Sequence, residues 1–130
     1  MGIRLKIKHI DFSEIEKQNF KPEPHTVALI DEGDWWAVVD ENENILSVTC
    51  VCDRHGGKYF CQTFTPKEYR KNGYCTKLLN YLSKKVYKND KLIAHCLKAS
   101  VHCYFDAGFE LTKIRPFKHG TQYYMIREVE

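Results

Sequence analysis

The chain switches several times between a two-residue and a 3.6-residue apolar period, which marks a mixed α and β domain. Ile3, Leu5 and Ile7 alternate with Arg4, Lys6 and Lys8 and predict a first strand. Asp11-Phe12-Ser13-Glu14 predicts a helix start, with Asp11 or Ser13 as N-cap. Pro22 and Pro24 force that helix to be short. Thr26 to Ile30 is a β-prone run without an assigned role. Trp35 to Val39, Ile45 to Cys52 and Lys58 to Thr65 predict three antiparallel strands, joined by turns at Asp40–Asn44 and Arg54–Gly57. Leu78, Leu79, Leu82 and Val86 then recur at helical spacing and predict one amphipathic helix from Gly73 to about Lys88. Asn89-Asp90 breaks it. Leu92 to Leu97 reads as a buried strand, Ser100 to Ala107 as a short helix closed by Gly108, and Phe109–Pro116 with Gln122–Val129 as a last strand pair. The strand, helix, strand run from Lys58 to Leu97 predicts a right-handed parallel crossover inside the sheet.

Composition narrows the class. The 130 residues suit a single domain, 1–130, and 43% apolar with 28% charged residues excludes a disordered or low-complexity chain. No apolar run approaches the roughly 20 residues of a membrane span, and Met1 to Ile10 has no continuous apolar segment, so no membrane partner is expected. Six cysteines without an export signal read as reduced thiols of a cytoplasmic protein. Cys50-Val51-Cys52 with His55, His95-Cys96 and His102-Cys103 lacks the knuckle spacing of a zinc site, and no metal is assigned. The charge is divided along the chain. Residues 22–53 hold eight acids and no Lys or Arg, whereas residues 54–130 hold fifteen Lys or Arg and six acids.

The segment from Thr65 to Leu79 carries the chemistry. A basic loop with a glycine opens the amphipathic helix, where unpaired N–H groups and the helix dipole favour an anion. Gly73 clears a side chain from the approach, and Arg70 and Lys71 bring charge. One glycine is too few for a dinucleotide fingerprint, and no Gly-Lys-Ser/Thr follows for a P-loop. Pro66, Tyr69, Arg70 and Gly73 resemble the acyl-CoA motif of the GNAT superfamily of N-acyltransferases, Arg/Gln-x-x-Gly-x-Gly/Ala preceded by Pro-x-x-Tyr/Phe-Arg. Cys75 stands in the place of that motif's second small residue. Tyr104, four residues before Gly108-Phe109, matches a second segment of the same family, and Leu97 stands where the family often has Asn. The element order from Ile3 to Val129 also resembles the GNAT fold, with residues 11–34 shorter than its usual helix pair.

The resemblance implies a mostly antiparallel α/β (α+β) sheet with helices on both faces and a cofactor cleft where strands 4 and 5 splay. It implies acetyl transfer from acetyl-CoA to an amine. Gln62, Phe64, Arg70, Lys71, Asn72, Gly73, Tyr74, Cys75 and Thr76 would hold the cofactor. The backbone N–H of Phe64 would stabilise the oxyanion, and Tyr104 would act as general acid. No general base is assigned: Lys58 to Thr65 has no carboxylate, and Asp31, Glu32, Asp34, Asp53 and His55 read as surface groups. The acidic segment suggests a cationic acceptor steered by its field. The basic, aromatic loop Phe117–Tyr124 suggests an acceptor border or a homodimer contact rather than nucleic acid. A GNAT fold that binds CoA or a protein without turnover, and a basic nucleic-acid-binding module, stay open as other classes.

Overall fold

The computed structural model describes residues 4–18, 20, 28–118 and 120–129. The elements run β1 (Lys6–Ile10), α1 (Phe12–Gln18), β2 (Asp34–Val39), β3 (Ile45–Arg54), β4 (Gly57–Phe64), α2 (Tyr74–Tyr81), β5 (Leu92–Cys96), α3 (Lys98–Asp106), β6 (Glu110–Phe117) and β7 (Gly120–Arg127). They form one seven-stranded sheet in the order β1-β2-β3-β4-β5-β7-β6. Every neighbouring pair is antiparallel except β4 and β5, which the α2 crossover makes parallel.

Local chemistry accounts for the turns. The Asp40 carboxylate accepts the backbone N–H groups of Asn42 and Asn44, each at 2.9 Å, and closes the β2–β3 turn. The β3–β4 turn holds His55 and Gly56 at φ 57° and 81°, the left-handed pair that suits a two-residue hairpin. α1 starts as a capping box: the Asp11 N–H donates to the Glu14 carboxylate at 3.1 Å.

The sheet buries both faces. On one, Val38, Leu46, Val51, Phe60, Leu92, Ala94 and Met125 pack against Leu78, Leu79 and Leu82, with Cys103 and Tyr104 of α3. On the other, Ile10, Trp35, Ala37, Val39, Ile45, Val48 and Cys50 enclose Ile15 of α1. Trp35 is buried, while Trp36 sits at a rim and donates its indole N–H to Tyr87 Oη at 3.0 Å. β6 is exposed along its whole length, and Lys113, Arg115 and Pro116 guard that edge against further pairing.

Two sequence expectations need correction. The first strand runs Lys6–Ile10, taking in the Lys6–Lys8 end of the predicted alternation and continuing to Ile10, because its register follows β2 from Lys6↔Val39 to Ile10↔Trp35. The long helix is two pieces. After Tyr81 the ladder widens, with the Tyr87 N–H bonding back to the Leu82 carbonyl at 2.7 Å. The Arg127 guanidinium holds this end, donating to the carbonyls of Ser83, Tyr87, Lys88 and Asp90 and so satisfying acceptors that a helix end leaves open. Apolar periodicity carries no trace of an arginine 40 residues downstream of Tyr87.

The Thr26–Ile30 run forms no strand over its described residues, Ala28 to Ile30. No helix among the described residues is long and apolar enough to cross a membrane. All six cysteines are free thiols.

Candidate active site

The site begins as a defect in the sheet. In the β3–β4 ladder Val51 pairs with Phe60 and Cys50 with Gln62, so Cys61 is an extra residue on β4. Such a bulge bends its strand. The parallel register between β4 and β5 covers Lys58↔Leu92, Tyr59↔Ile93 and Phe60↔Ala94, and stops where the bulge begins. Beyond it the strands part, and two cavities occupy the gap. One, of about 530 Å³, lies toward the start of α2 and is lined by Thr63–Thr65, Tyr69–Lys71, Gly73–Thr76 and one side of α3. The other, of about 560 Å³, lies toward residues 28–32 and is lined by Phe60–Phe64, His95–Leu97, Glu32 and Tyr104. Thr63, Phe64, Ala99 and Ser100 border both, so the two are ends of one cleft.

The first end is built by the loop between β4 and α2. Arg70 Nε donates to the Thr65 carbonyl at 2.9 Å, folding the guanidinium against the strand end, and its Cζ lies 6.0 Å from the Phe64 ring centre. The Asn72 amide donates to the carbonyls of Tyr69 and Arg70 at 3.0 and 3.1 Å. These bonds hold Lys71 at φ 66° and Gly73 at φ 79°. Gly73 then starts α2, whose Lys77 N–H bonds the Gly73 carbonyl at 2.9 Å. A Cβ placed on Gly73 would meet no atom within 4 Å, so the space over the helix start is open. An open, glycine-fronted helix start between two exposed cations fits a polyanionic group.

Lys71 is the strained member of this loop. A left-handed non-glycine residue costs about 1–2 kcal/mol, and glycine gives back roughly 0.5–1 kcal/mol in unfolded-state entropy. Lys71→Gly is therefore expected to stabilise the fold by about 0.5 kcal/mol, seen as a urea midpoint roughly 0.3 M higher at unchanged slope. The same change should weaken anion binding, since it removes a charge from the cleft.

Tyr104 lies on the floor between the two ends, 2% exposed. Its hydroxyl is 3.0 Å from Thr63 Oγ1, which is 2.8 Å from Thr49 Oγ1, and Thr49 donates to the Gln62 carbonyl at 3.0 Å. The direction of the chain follows. Thr49 spends its proton on the carbonyl, so Thr63 donates to Thr49 and Tyr104 donates to Thr63. Burial, with the neighbouring thiols Cys75, Cys96 and Cys103 adding, pushes the Tyr104 phenol well above its ordinary 10, and Thr63 partly opposes this. Tyr104 is therefore protonated throughout the neutral range.

The thiols behave differently from a simple helix-start cysteine. Cys75 and Cys103 share a hydrogen bond that pushes Cys75 up and draws Cys103 down to about 6. Thr76 and His102 lower Cys103 further, against its burial.

The structure brings Gln62, Phe64, Tyr104, Arg70, Lys71 and residues 73–76 around one cleft, whereas Asn72 lines neither cavity and spends its amide on the loop's own carbonyls. Two sequence readings change in detail. The Gln62 side chain is occupied: its amide accepts the Ile30 N–H at 2.9 Å and donates to the Ile30 carbonyl at 2.7 Å, acting as a strand rung for the 28–32 segment. What Gln62 can offer the cleft is main chain. The acidic segment is dispersed: Glu43 pairs with Lys8, Asp53 with Lys58 at 2.7 Å and Asp34 with His9 at 3.6 Å, which leaves Glu32 as its carboxylate lining the cleft. Of the loop from Phe117 to Tyr124, His119 lies outside the described residues, and the others line neither cavity. Two features were missed in the sequence. One is the hydroxyl ladder of Ser47, Thr49, Thr63 and Thr65, signalled by Ser-x-Thr and Thr-x-Thr spacing on adjacent strands. The other is His95, which lines the second cavity from a strand that reads as buried. Among the described residues no group of three or more His, Cys, Asp or Glu is placed to hold a metal ion.

Compared by sequence, the chain matches no protein-family model and no curated protein. Compared by structure, it shares its fold with spermidine N-acetyltransferases of the GNAT superfamily. A mutant form of SpeG from Vibrio cholerae aligns at TM-score 0.71 and 14% identity, over 95% of this chain and 92% of that one. A chimera of the Vibrio cholerae enzyme and hSSAT aligns at 0.69 and 16%, over 94% of each. A dodecameric form of the Vibrio cholerae enzyme aligns at 0.68 and 15%, over 95% and 92%.

Proposed function

We propose that this protein is an N-acetyltransferase that moves an acetyl group from acetyl-CoA directly to an amine. The observation that carries the reading is the continuous cleft between β4 and β5, with an open helix start at one end and a buried, protonated tyrosine on its floor.

Acetyl-CoA supplies an activated thioester, and the chain supplies the rest. Arg70, Lys71, Gly73, Tyr74, Cys75 and Thr76 line the end that would take the pyrophosphate, and Asn72 braces their loop. Main-chain groups of Gln62 and Phe64, past the last β5 rung, accept the pantetheine as an added strand would, and the Phe64 N–H receives the developing oxyanion. Tyr104 gives its proton to the departing sulfur. Thr63, which has accepted from Tyr104, can rotate to donate to the phenolate, so the hydroxyl ladder stabilises both states of the acid. The amine enters from the second cavity, between residues 28–32 and β5. Its lining is mainly apolar, with Glu32 as a carboxylate for a cationic end of the acceptor. Spermidine, the acceptor in the names of the fold neighbours, is one member of that class.

Calorimetric titration with acetyl-CoA and CoA, followed by thiol release over an amine panel that includes spermidine, tests the proposal. Binding of both, with thiol release for at least one amine, is the expected result. Binding without turnover across the panel would point to a CoA-binding module. No binding of either would overturn the reading.

A further inference from the structure

We propose that His95 is the general base for the acceptor amine, its Nδ1–H held by Tyr59 and its Nε2 left to take the proton. The inference rests on the acetyl-transfer reading above and assigns a role which that reading leaves empty.

His95 lines the acceptor end of the cleft together with Tyr104, from the strand on the other side of the gap. Its ring is boxed in. Tyr124 of β7 stacks on it at 4.0 Å between centres and 16° between planes. Tyr59 of β4 lies 5.1 Å away on another side, with its hydroxyl 3.4 Å from Nδ1. His55, from the β3–β4 turn, lies 5.1 Å away. The charged groups behind this box are Arg54, 5.5 Å from the Tyr59 ring, and Lys113, 5.8 Å from the Tyr124 ring. Glu32 and Cys61 share the cavity. With Tyr104 and Cys96, which line the same cavity, the set around the imidazole is three phenols, a second imidazole, two thiols and one carboxylate, with two cations in the next layer.

Burial and the neighbouring His55 favour a neutral ring, and the Glu32 carboxylate is the one group in the set that opposes them. Burial lowers the His95 pKa from its ordinary 6.5, and His55 lowers it further. A neutral imidazole is a proton acceptor at pH 7 and above. In the tautomer that the proposed role requires, Nδ1–H donates to Tyr59 Oη, 3.4 Å away, and the lone pair is on Nε2. Among the described side chains of the second cavity, Gln62 is spent on Ile30, and the Glu32 carboxylate is assigned to a cationic end of the acceptor.

The proton count closes. The amine nitrogen bonds to the thioester carbonyl carbon and its proton passes to His95 Nε2. The carbon–sulfur bond breaks, and sulfur leaves with the Tyr104 proton. Return of the His95 proton to Tyr104 through water restores both groups, and the net products are an N-acetyl amine and a free thiol.

His95→Gln keeps a polar group of similar size, and the test is made at saturating donor and amine across pH 5.5–9. The expected result is a kcat about 100-fold lower at pH 7.5, with donor Kd and amine KM within about threefold, and loss of the wild-type acidic limb. Proton NMR of the wild type, with the His95 signal assigned by its disappearance in the variant, should place that imidazole below 6.5. Tyr59→Phe, which leaves the base but frees its ring, should lower kcat about tenfold. A His95→Gln enzyme within threefold of wild type, or an imidazole still protonated at pH 7.5, would overturn the assignment while leaving acetyl transfer intact. Absence of any transfer by the wild type would overturn both.

Discussion

Tyr104→Phe should lower kcat by about 100-fold while leaving the donor Kd within about threefold, because a positioned general acid typically contributes 10²–10⁴ in rate and little to binding. The substitution removes one oxygen from a site where the rest of the ring is fixed. Tyr104 packs edge-on against Phe60 and Phe109, at 6.3 and 5.1 Å between centres, and phenylalanine keeps both contacts. The lost bond to Thr63 costs about 1 kcal/mol of stability, and Thr63 still has Thr49 as a partner. A fall in rate beyond what that stability change produces therefore reports on chemistry.

The burial that raises the Tyr104 pKa does not make it too weak to serve. A thiolate leaving in the same buried place is destabilised by the same loss of solvent, so the gap between the two acids is closer to that in water than the tyrosine alone suggests. The pH consequence has a definite sign. A phenol held well above 10 stays protonated through the working range, so activity should show no alkaline limb from Tyr104 below about pH 10. A drop in donor affinity larger than the drop in kcat would show that Tyr104 is a packing residue.

Much of this fold is legible in the sequence because local signals and tertiary packing agree. Strands β2 to β4 are runs of β-branched, aromatic and thiol residues, their turns carry Asp40, Asn44 and Gly56 where turn geometry needs them, and α2 shows its apolar stripe. The end proposed for the cofactor is legible for the same reason, since a glycine at a helix start is a local feature. The end proposed for the acceptor is assembled by contacts remote in the chain. Gln62 meets Ile30 across 32 residues, Tyr104 meets Thr63 across 41, and His95 meets Tyr59 across 36. The bulge at Cys61 is likewise invisible to periodicity, because one extra residue in an eight-residue strand leaves the apolar pattern readable on either side. Charge was the least transferable signal. A run of eight acids reads as a field, yet Lys8 and Lys58 pair with two of them locally and His9 lies beside a third.

The other large effect is expected at Gly73, where charge and backbone can be separated. Gly73→Asp and Gly73→Asn introduce side chains of nearly equal size into a space that a Cβ enters without meeting an atom within 4 Å. Both residues tolerate φ near 79° better than other non-glycine residues, so each should fold with a penalty of about 1–2 kcal/mol. They differ in one charge. A carboxylate about 5 Å from a phosphate at a surface site opposes it by roughly 3 kcal/mol at an effective dielectric near 20. The aspartate variant should therefore bind CoA on the order of 10²-fold more weakly than the asparagine variant at low salt. Added salt should narrow that ratio, since the site is exposed and screening acts on it. Steric exclusion alone would make the two variants equally weak at every salt concentration. Equal and undiminished binding in both would place the pyrophosphate away from α2, and with it the donor orientation on which the roles of Phe64 and Tyr104 depend. The asparagine variant thus decides whether the helix start recognises charge or merely leaves room for it.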